Sequence, residues 1–287
     1  MDADLTALNG LIAELRPRLH RYCARMVGSA FDGEDVVQDA LASAAAAWSD
    51  NIQSPENWLF RIAHNAALDA LRRRKRLAAF ETDAELDAFA DPATETESRI
   101  AVEASLAALQ SLTPVERACV VLADVLGYAN EEVAEILSIS VASVKAALHR
   151  GRARLRDLPR SPEPASAIAP VDRQRLRAYA DKFNARDFDA LRALLAEDVR
   201  LDLVNRRKLS GKPDVSVYFT RYAEVADYRV SLALAEGVPV LLIDTPGEEG
   251  RIRYVVRMDW RGGEIAAIRD FRYAPYVMES LDTVPLD

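Results

Sequence analysis

The sequence predicts a multidomain chain, two all-α domains followed by an α+β domain, and three observations predict it. Before Pro159 the apolar residues recur at helical spacing with no β-type alternation. After Pro170 one helix-like stretch gives way to strand-like runs separated by turn chemistry. Two segments of linker composition, 78–98 and 159–170, separate these parts. They leave blocks 1–77, 99–158 and 171–287, and a chain of 287 residues is long enough for each to bury a core.

In the first block QSPENWLF starts a helix: Ser54 is a candidate N-cap and Pro55 suits the first helical position. Leu59, Ile62, Ala63, Ala66, Leu68 and Leu71 then repeat at helical spacing, and Trp58 is in phase with Ile62 and belongs to the core. The helix ends in Arg72, Arg73, Arg74, Lys75 and Arg76, five cations in a chain of net charge −8. One or two would complement the helix dipole. Five in succession cover every face and repel one another unless an anion is near, and nucleic-acid phosphate is such an anion.

The linker 78–98, AAFETDAELDAFADPATETES, is acidic and weak in apolar periodicity. In the second block Thr113 and Pro114 start a helix that Gly127 ends. NEEVAEIL and VASVKAALHRGRARL flank the short turn SIS, and Val133, Ile136, Leu137, Val141, Val144 and Leu148 form the apolar set of a helix-turn-helix. The second of these helices turns Ser140, Ser143, Lys145, Ala146, His149 and Arg150 outward, followed by Arg152, Arg154 and Arg156, with no acid between Glu135 and Asp157. Small polar residues ahead of a cationic tail suit a helix that enters a major groove and grips the flanking phosphates. The acidic total is compatible with this, because contact depends on a local field that screening cuts off within about 10 Å. The acidic linker is placed to occupy these cations in the free protein.

The linker 159–170, PRSPEPASAIAP, is stiff and extended by composition. The third block opens with the helix-like DRQRLRAYADKFNARDFDALRALLAED and continues with VRLDLV, YRVSLALAEG, PVLLID, RIRYVVRMDW and EIAAIRDFRY, with TPGEEG and RGGE as turns. That order predicts a mostly antiparallel, curved sheet. NRRKLSGKP, 205–213, reads as a basic, glycine-containing loop. Asp202 and Asp270 lie on strands that can turn them inward, with Arg269 and Arg272 as ready partners. The block has no histidine and no visible acid–base pair, so no enzyme activity is expected.

Composition narrows the class further. Half of the chain is apolar and 29% is charged, the balance of a globular protein. No run approaches the roughly eighteen apolar residues of a membrane span, so no membrane partner is expected. The N-terminal MDADLTALNGLIAELRPRLHRY carries no basic segment ahead of an apolar one, and no secretion signal is read there. Cys23 and Cys119 form no CxxC pair, which favours a reducing cytoplasm. With His20, His64 and His149 scattered, neither a metal site nor a cofactor is expected.

The stretch GEDVVQDALASAA…WLFRIAHNAALDALRRRKR resembles region two of the sigma-70 family of bacterial transcription initiation factors, in its extracytoplasmic-function group. LTPVERACVVLADVLGYANEEVAEIL with the helix-turn-helix resembles region four. The resemblance implies that Glu34, Asp35, Val37, Gln38 and Asp39 pack on the β′ clamp of RNA polymerase core, with the β subunit as a further contact. It places Arg61, His64, Asn65 and Asp69 on the minus-ten side of promoter DNA, with Arg72, Arg73, Arg74, Lys75 and Arg76 along the backbone. It assigns Ser140, Ser143, Lys145, Ala146, His149, Arg150, Arg152 and Arg154 to the minus-thirty-five element. Asp69 can equally pair with Arg72 or Arg73 one turn on. AWSDNIQSPEN has Trp48 as its only aromatic, which in this family implies weak melting and stringent promoter choice. Ser138 stands where the family often has glycine, and a left-handed backbone there costs serine about 1 kcal/mol.

LRAYADKFNARDFDALRALLAEDVRLDL resembles the opening of the SnoaL-like, NTF2-like superfamily, an α+β cone whose sheet wraps a pocket. The resemblance implies control of activity in cis, with a small-molecule ligand in the pocket as an option. The rival reading is a polymerase-independent helix-turn-helix regulator carrying a ligand-sensing or enzymatic NTF2-like domain.

Overall fold

The computed structural model describes residues 2–49, 51–79, 106–158, 170–224, 227–247 and 250–286. The acidic linker beyond Ala79 and the Pro-rich linker up to Ala169 lie outside the described residues, and with them the shielding expected of the acidic segment. The chain divides into two compact units, Met1–Ser161 and Pro162–Asp287.

The first unit is helical throughout its described residues. It comprises α1 (Asp2–Val27), α2 (Ala30–Ala47), α3 (Pro55–Ala79), α4 (Leu106–Gln110), α5 (Pro114–Val120), α6 (Asn130–Leu137) and α7 (Val141–Asp157). The break between α1 and α2 is set by Gly28, at φ 81°, where a Cβ would also come within 2.6 Å of Gln110. Ser29 Oγ then caps α2 by accepting from the Asp32 amide at 3.1 Å. α3 begins at Pro55, as the QSPENWLF signal predicts. α5 carries a capping box between Thr113 and Glu116 and runs into a π-helical turn, Val121–Val125.

Both helical blocks contribute to one apolar cluster. Tyr22, Leu59 and Phe60 from the first share it with Leu109, Val120, Val133, Val144 and Leu148 from the second. Phe60 meets Tyr128 edge-on at 5.2 Å, and the Arg18 guanidinium lies 5.0 Å from the Tyr128 ring. Glu56 accepts from both Arg18, at 2.6 Å, and the Tyr128 hydroxyl. Arg117, which is buried, donates to the Met26 and Leu112 carbonyls and to Gln110 Oε1. Its fork thereby satisfies carbonyls from α1 and from the α4–α5 turn, which would be costly to leave unpaired.

The second unit contains α8 (Pro170–Asn184), α9 (Phe188–Ala193), β1 (Leu195–Leu203), β2 (Arg207–Ser210), α10 (Lys212–Glu224), β3 (Arg229–Ala235), β4 (Val238–Gly247), β5 (Gly250–Arg261), β6 (Glu264–Asp270) and β7 (Thr283–Pro285). The sheet order is β2-β1-β6-β5-β4-β3-β7. Its pairs are antiparallel except β1 with β6, where Leu201 faces Ile268 and Leu203 faces Asp270. The α+β class and the mostly antiparallel sheet are as predicted. In the RGGE turn both glycines take positive φ, 61° and 92°, which joins β5 to β6.

Two local expectations need correction. The helix expected through Asp198 stops at Ala193, because Leu195, Val199 and Leu201 point inward from a strand while Arg200 is exposed. NRRKLSGKP is not simply a loop: it contains β2, a turn at Gly211 and the start of α10. Val215, Tyr218, Phe219 and Tyr222 form the buried stripe of α10, a helical period that the neighbouring basic residues mask.

Candidate functional site

The cationic end of α3 is exposed, as are Arg61, Asn65 and Asp69 on the same helix. Asp69 accepts from Arg72 at 2.7 Å, the pairing one turn on that its spacing allows. Arg73 reaches Asp39 at 3.3 Å, and Arg74 donates to the Val27 carbonyl at 3.3 Å. Arg73 and Arg74 are thus tied to α2 and α1, the Arg73–Asp39 pair through an exposed contact worth little in water.

His64 departs from the expected arrangement. It is buried, and its Nδ1 shares a 2.7 Å hydrogen bond with the Tyr22 hydroxyl. Burial, helped by the nearby Arg72 charge, lowers its pKa to about 4, so it is a neutral brace between α1 and α3 rather than a DNA-facing group. Glu34 and Val37 are likewise inside the bundle. Glu34 accepts from Arg16 at 2.5 Å, a buried ion pair joining α1 to α2. Of the five residues assigned to the polymerase, Asp35 and Asp39 are exposed and Gln38 is half-buried.

In the second block α6 and α7 meet at Ser138, whose φ of 56° and ψ of 43° are left-handed. Ser140 Oγ caps α7 by accepting from the Ser143 amide at 3.1 Å. Ser140, Ser143, Lys145 and Ala146 are exposed at the N-terminal half of α7, while Val144, Ala147 and Leu148 enter the core. α7 thus sets an exposed polar face opposite a packed apolar one, the amphipathic division that its spacing predicts.

The cationic tail behind that face is not unopposed. Glu116 accepts from Arg150 at 3.0 Å and from Arg154 at 2.6 Å, and Asp124 holds Arg152 through two bonds of 2.6 and 3.0 Å. Both carboxylates are buried and come from the α5 segment, so the acids absent from the local sequence arrive from elsewhere in the fold. His149 is half-buried on the same helix. The tail is thus in large part a clamp that holds α7 against α5.

The C-terminal unit holds a cavity of about 520 Å³ between α10 and the β2-β1-β6 edge of the sheet. Asp270 lines it. Its Oδ2 accepts from the Tyr218 and Tyr222 hydroxyls at 2.8 and 3.0 Å, and its Oδ1 accepts from the Arg272 amide at 2.8 Å. Asp270 is fully buried, and desolvation raises its pKa against the opposing pull of these donors. The expected salt bridge of Asp270 to a flanking arginine side chain is replaced by phenols and a backbone amide. Arg269 turns instead to Asp202, 3.6 Å away.

The Sigma-70 region 2 family matches residues 11–77 and the Sigma-70 region 4 family matches 103–155. The chain is 36% identical over 157 residues to the ECF RNA polymerase sigma factor SigM of Mycobacterium tuberculosis, covering 53% of this chain and 76% of that one. It is 32% identical over 161 residues to the RNA polymerase sigma factor CarQ of Myxococcus xanthus, covering 55% and 91%. The chain belongs to the ECF sigma factors. The match spans 62% of the sigma factor SigE of Mycolicibacterium smegmatis and 55% of SigG of M. tuberculosis. Among solved structures, the ECF sigma factor SigJ of M. tuberculosis aligns over 93% of this sigma factor and 98% of its own chain, at 22% identity and a TM-score of 0.37. No described helix of this sigma factor is long and apolar enough to cross a membrane.

Proposed function

We propose that this sigma factor binds RNA polymerase core and directs it to promoters, region two meeting the minus-ten element and region four the minus-thirty-five element. The carrying observation is that the cationic end of α3 and the Ser143–Lys145–Ala146 face of α7 are both solvent-exposed. Arg61, Asn65 and Arg72 to Arg76 supply base-edge and phosphate contacts on the minus-ten side. Ser140, Ser143, Lys145 and Ala146 read the second element. Asp35, Gln38 and Asp39 form the polymerase-facing surface, with Glu34, Val37 and His64 fixing it from inside the bundle. The Pro162–Asp287 unit modulates activity in cis and is itself non-enzymatic.

The test is run-off transcription with sigma-free polymerase core on genomic DNA, with the initiation sites mapped. The wild-type chain initiates at selected sites. The double variant Asp35→Lys, Asp39→Lys loses initiation and co-purification with core but keeps duplex binding by region four. If that variant still supports site-selective initiation, the polymerase assignment fails. If the wild-type chain binds duplex DNA yet confers no initiation, the polymerase-independent regulator is the better reading.

A further inference from the structure

Several arginines of the C-terminal unit are ion-paired, and four that are not gather around one cavity. Arg192, Arg251, Arg253, Arg261 and Arg269 each have a carboxylate oxygen within 4 Å. Arg206, Arg207, Arg221 and Arg272 line the cavity beside α10 and make no ion pair among the described residues. Only Glu224, exposed, and Asp270 add carboxylates to that lining. Asp270 is already engaged by two phenols and an amide. Four guanidiniums against two carboxylates leave a positive excess around one cavity, which an anion would relieve.

Two of these arginines are pre-oriented. The Arg206 guanidinium lies 5.5 Å from the Tyr273 ring, and that of Arg272 lies 6.0 and 5.9 Å from Tyr222 and Tyr254. Stacking holds the Arg206 guanidinium plane while leaving its edge donors for a planar anion, whereas Arg272 also hydrogen-bonds the Tyr254 hydroxyl. Much of the rest of the lining is apolar: Leu201 buried, Leu203 and Leu209 half-buried, and Val217 and Tyr273 exposed. Apolar side chains left at the surface beside a cavity are the kind that a ligand covers. The volume, about 520 Å³, lies within the roughly 300–1,000 Å³ of small-molecule sites.

We propose that this cavity binds a small amphipathic anion: an aromatic or aliphatic body against Leu201, Leu203 and Leu209, with a carboxylate or sulfonate held by Arg206, Arg207 and Arg221. The proposal concerns ligand chemistry alone and stands whether or not the chain acts with polymerase. The phenols of Tyr218 and Tyr222 form the polar floor, and Asp270 holds them in place.

The experiment is a fluorescence titration of the full chain with two probes that share an anilinonaphthalene body. One is 1-anilinonaphthalene-8-sulfonate and the other is neutral N-phenyl-1-naphthylamine. The sulfonate is expected to bind saturably and about tenfold more tightly than the neutral probe. In Arg207→Gln, Arg221→Gln the sulfonate weakens by about tenfold while the neutral probe changes little. These two arginines are exposed and make no ion pair among the described residues, so their removal leaves the fold intact, checked by circular dichroism. Equal affinity for the two probes, indifference of the sulfonate to the substitutions, or no saturable binding of either would each overturn the proposal.

Discussion

Glu116 joins the stability of the helix-turn-helix to its charge, and Glu116→Gln separates the two. Its carboxylate, 3% exposed, takes Arg150 at 3.0 Å and Arg154 at 2.6 Å, whose side chains are 38% and 24% exposed. Its Oε2 also accepts from the Thr113 amide at 3.2 Å. Glutamine keeps an acceptor for that amide but removes the charge. Breaking a fully buried pair costs about 3–5 kcal/mol. Here both guanidiniums remain partly wetted, so a loss of about 1–3 kcal/mol is expected. For a unit of this size that lowers Tm by about 2–4 °C per kcal/mol. The freed arginines lie on α7, the helix proposed to read the second promoter element. If both reach phosphates, the slope of log K for duplex DNA against log salt steepens by about 1.8, at about 0.9 per contact. Calorimetry and a salt series of mobility-shift titrations measure the two effects. An unchanged Tm refutes the clamp, and a lowered Tm with an unchanged slope refutes any access of these arginines to DNA.

Three further perturbations follow from single residues or boundaries. Ser138→Gly relieves the left-handed strain at φ 56° and should stabilise the helical unit by up to about 1 kcal/mol in urea denaturation, with duplex binding unchanged; destabilisation would show that the serine makes a compensating interaction. His64, at about 4 in the folded chain against 6.5 for the ordinary imidazole, takes up a proton on unfolding between those values. Stability is therefore full above pH 6.5 and falls as pH drops towards 4. His64→Gln should flatten that slope, measured as urea midpoints across the interval, while His20, also lowered by burial, leaves a remainder. An unaltered slope would refute the neutral-brace assignment. Truncation after Leu158 should change run-off transcription with core enzyme, and unchanged output would refute control by the C-terminal unit.

Much of this protein was legible in its sequence because the signals are local. Pro55 and Pro114 suit first helical positions by their fixed φ and Thr113 caps through the Glu116 amide, and the period of Val133, Ile136, Val144 and Leu148 defines the helix-turn-helix without reference to the rest of the chain. β1, β3, β4, β5, β6 and the RGGE turn are readable for the same reason, while the short β2 and β7 carry too few residues to show a period. α10 is hidden in the sequence although its apolar stripe is periodic, because the basic stretch before it reads as a loop.

What composition and spacing determined, then, is the class of each element, the division into helical and α+β parts, and the resemblance to two sigma regions. Which charges remain available was decided only by the tertiary structure. Glu116 lies 34 residues from Arg150 and 38 from Arg154. Tyr218 lies 52 residues from Asp270, and Tyr22 lies 42 from His64. Such pairings are set by how packed elements cross, and burial then fixes whether a titratable group stays neutral, pairs or meets solvent. A run of cations in a sequence states that charge is present; the fold states which of it is already spoken for.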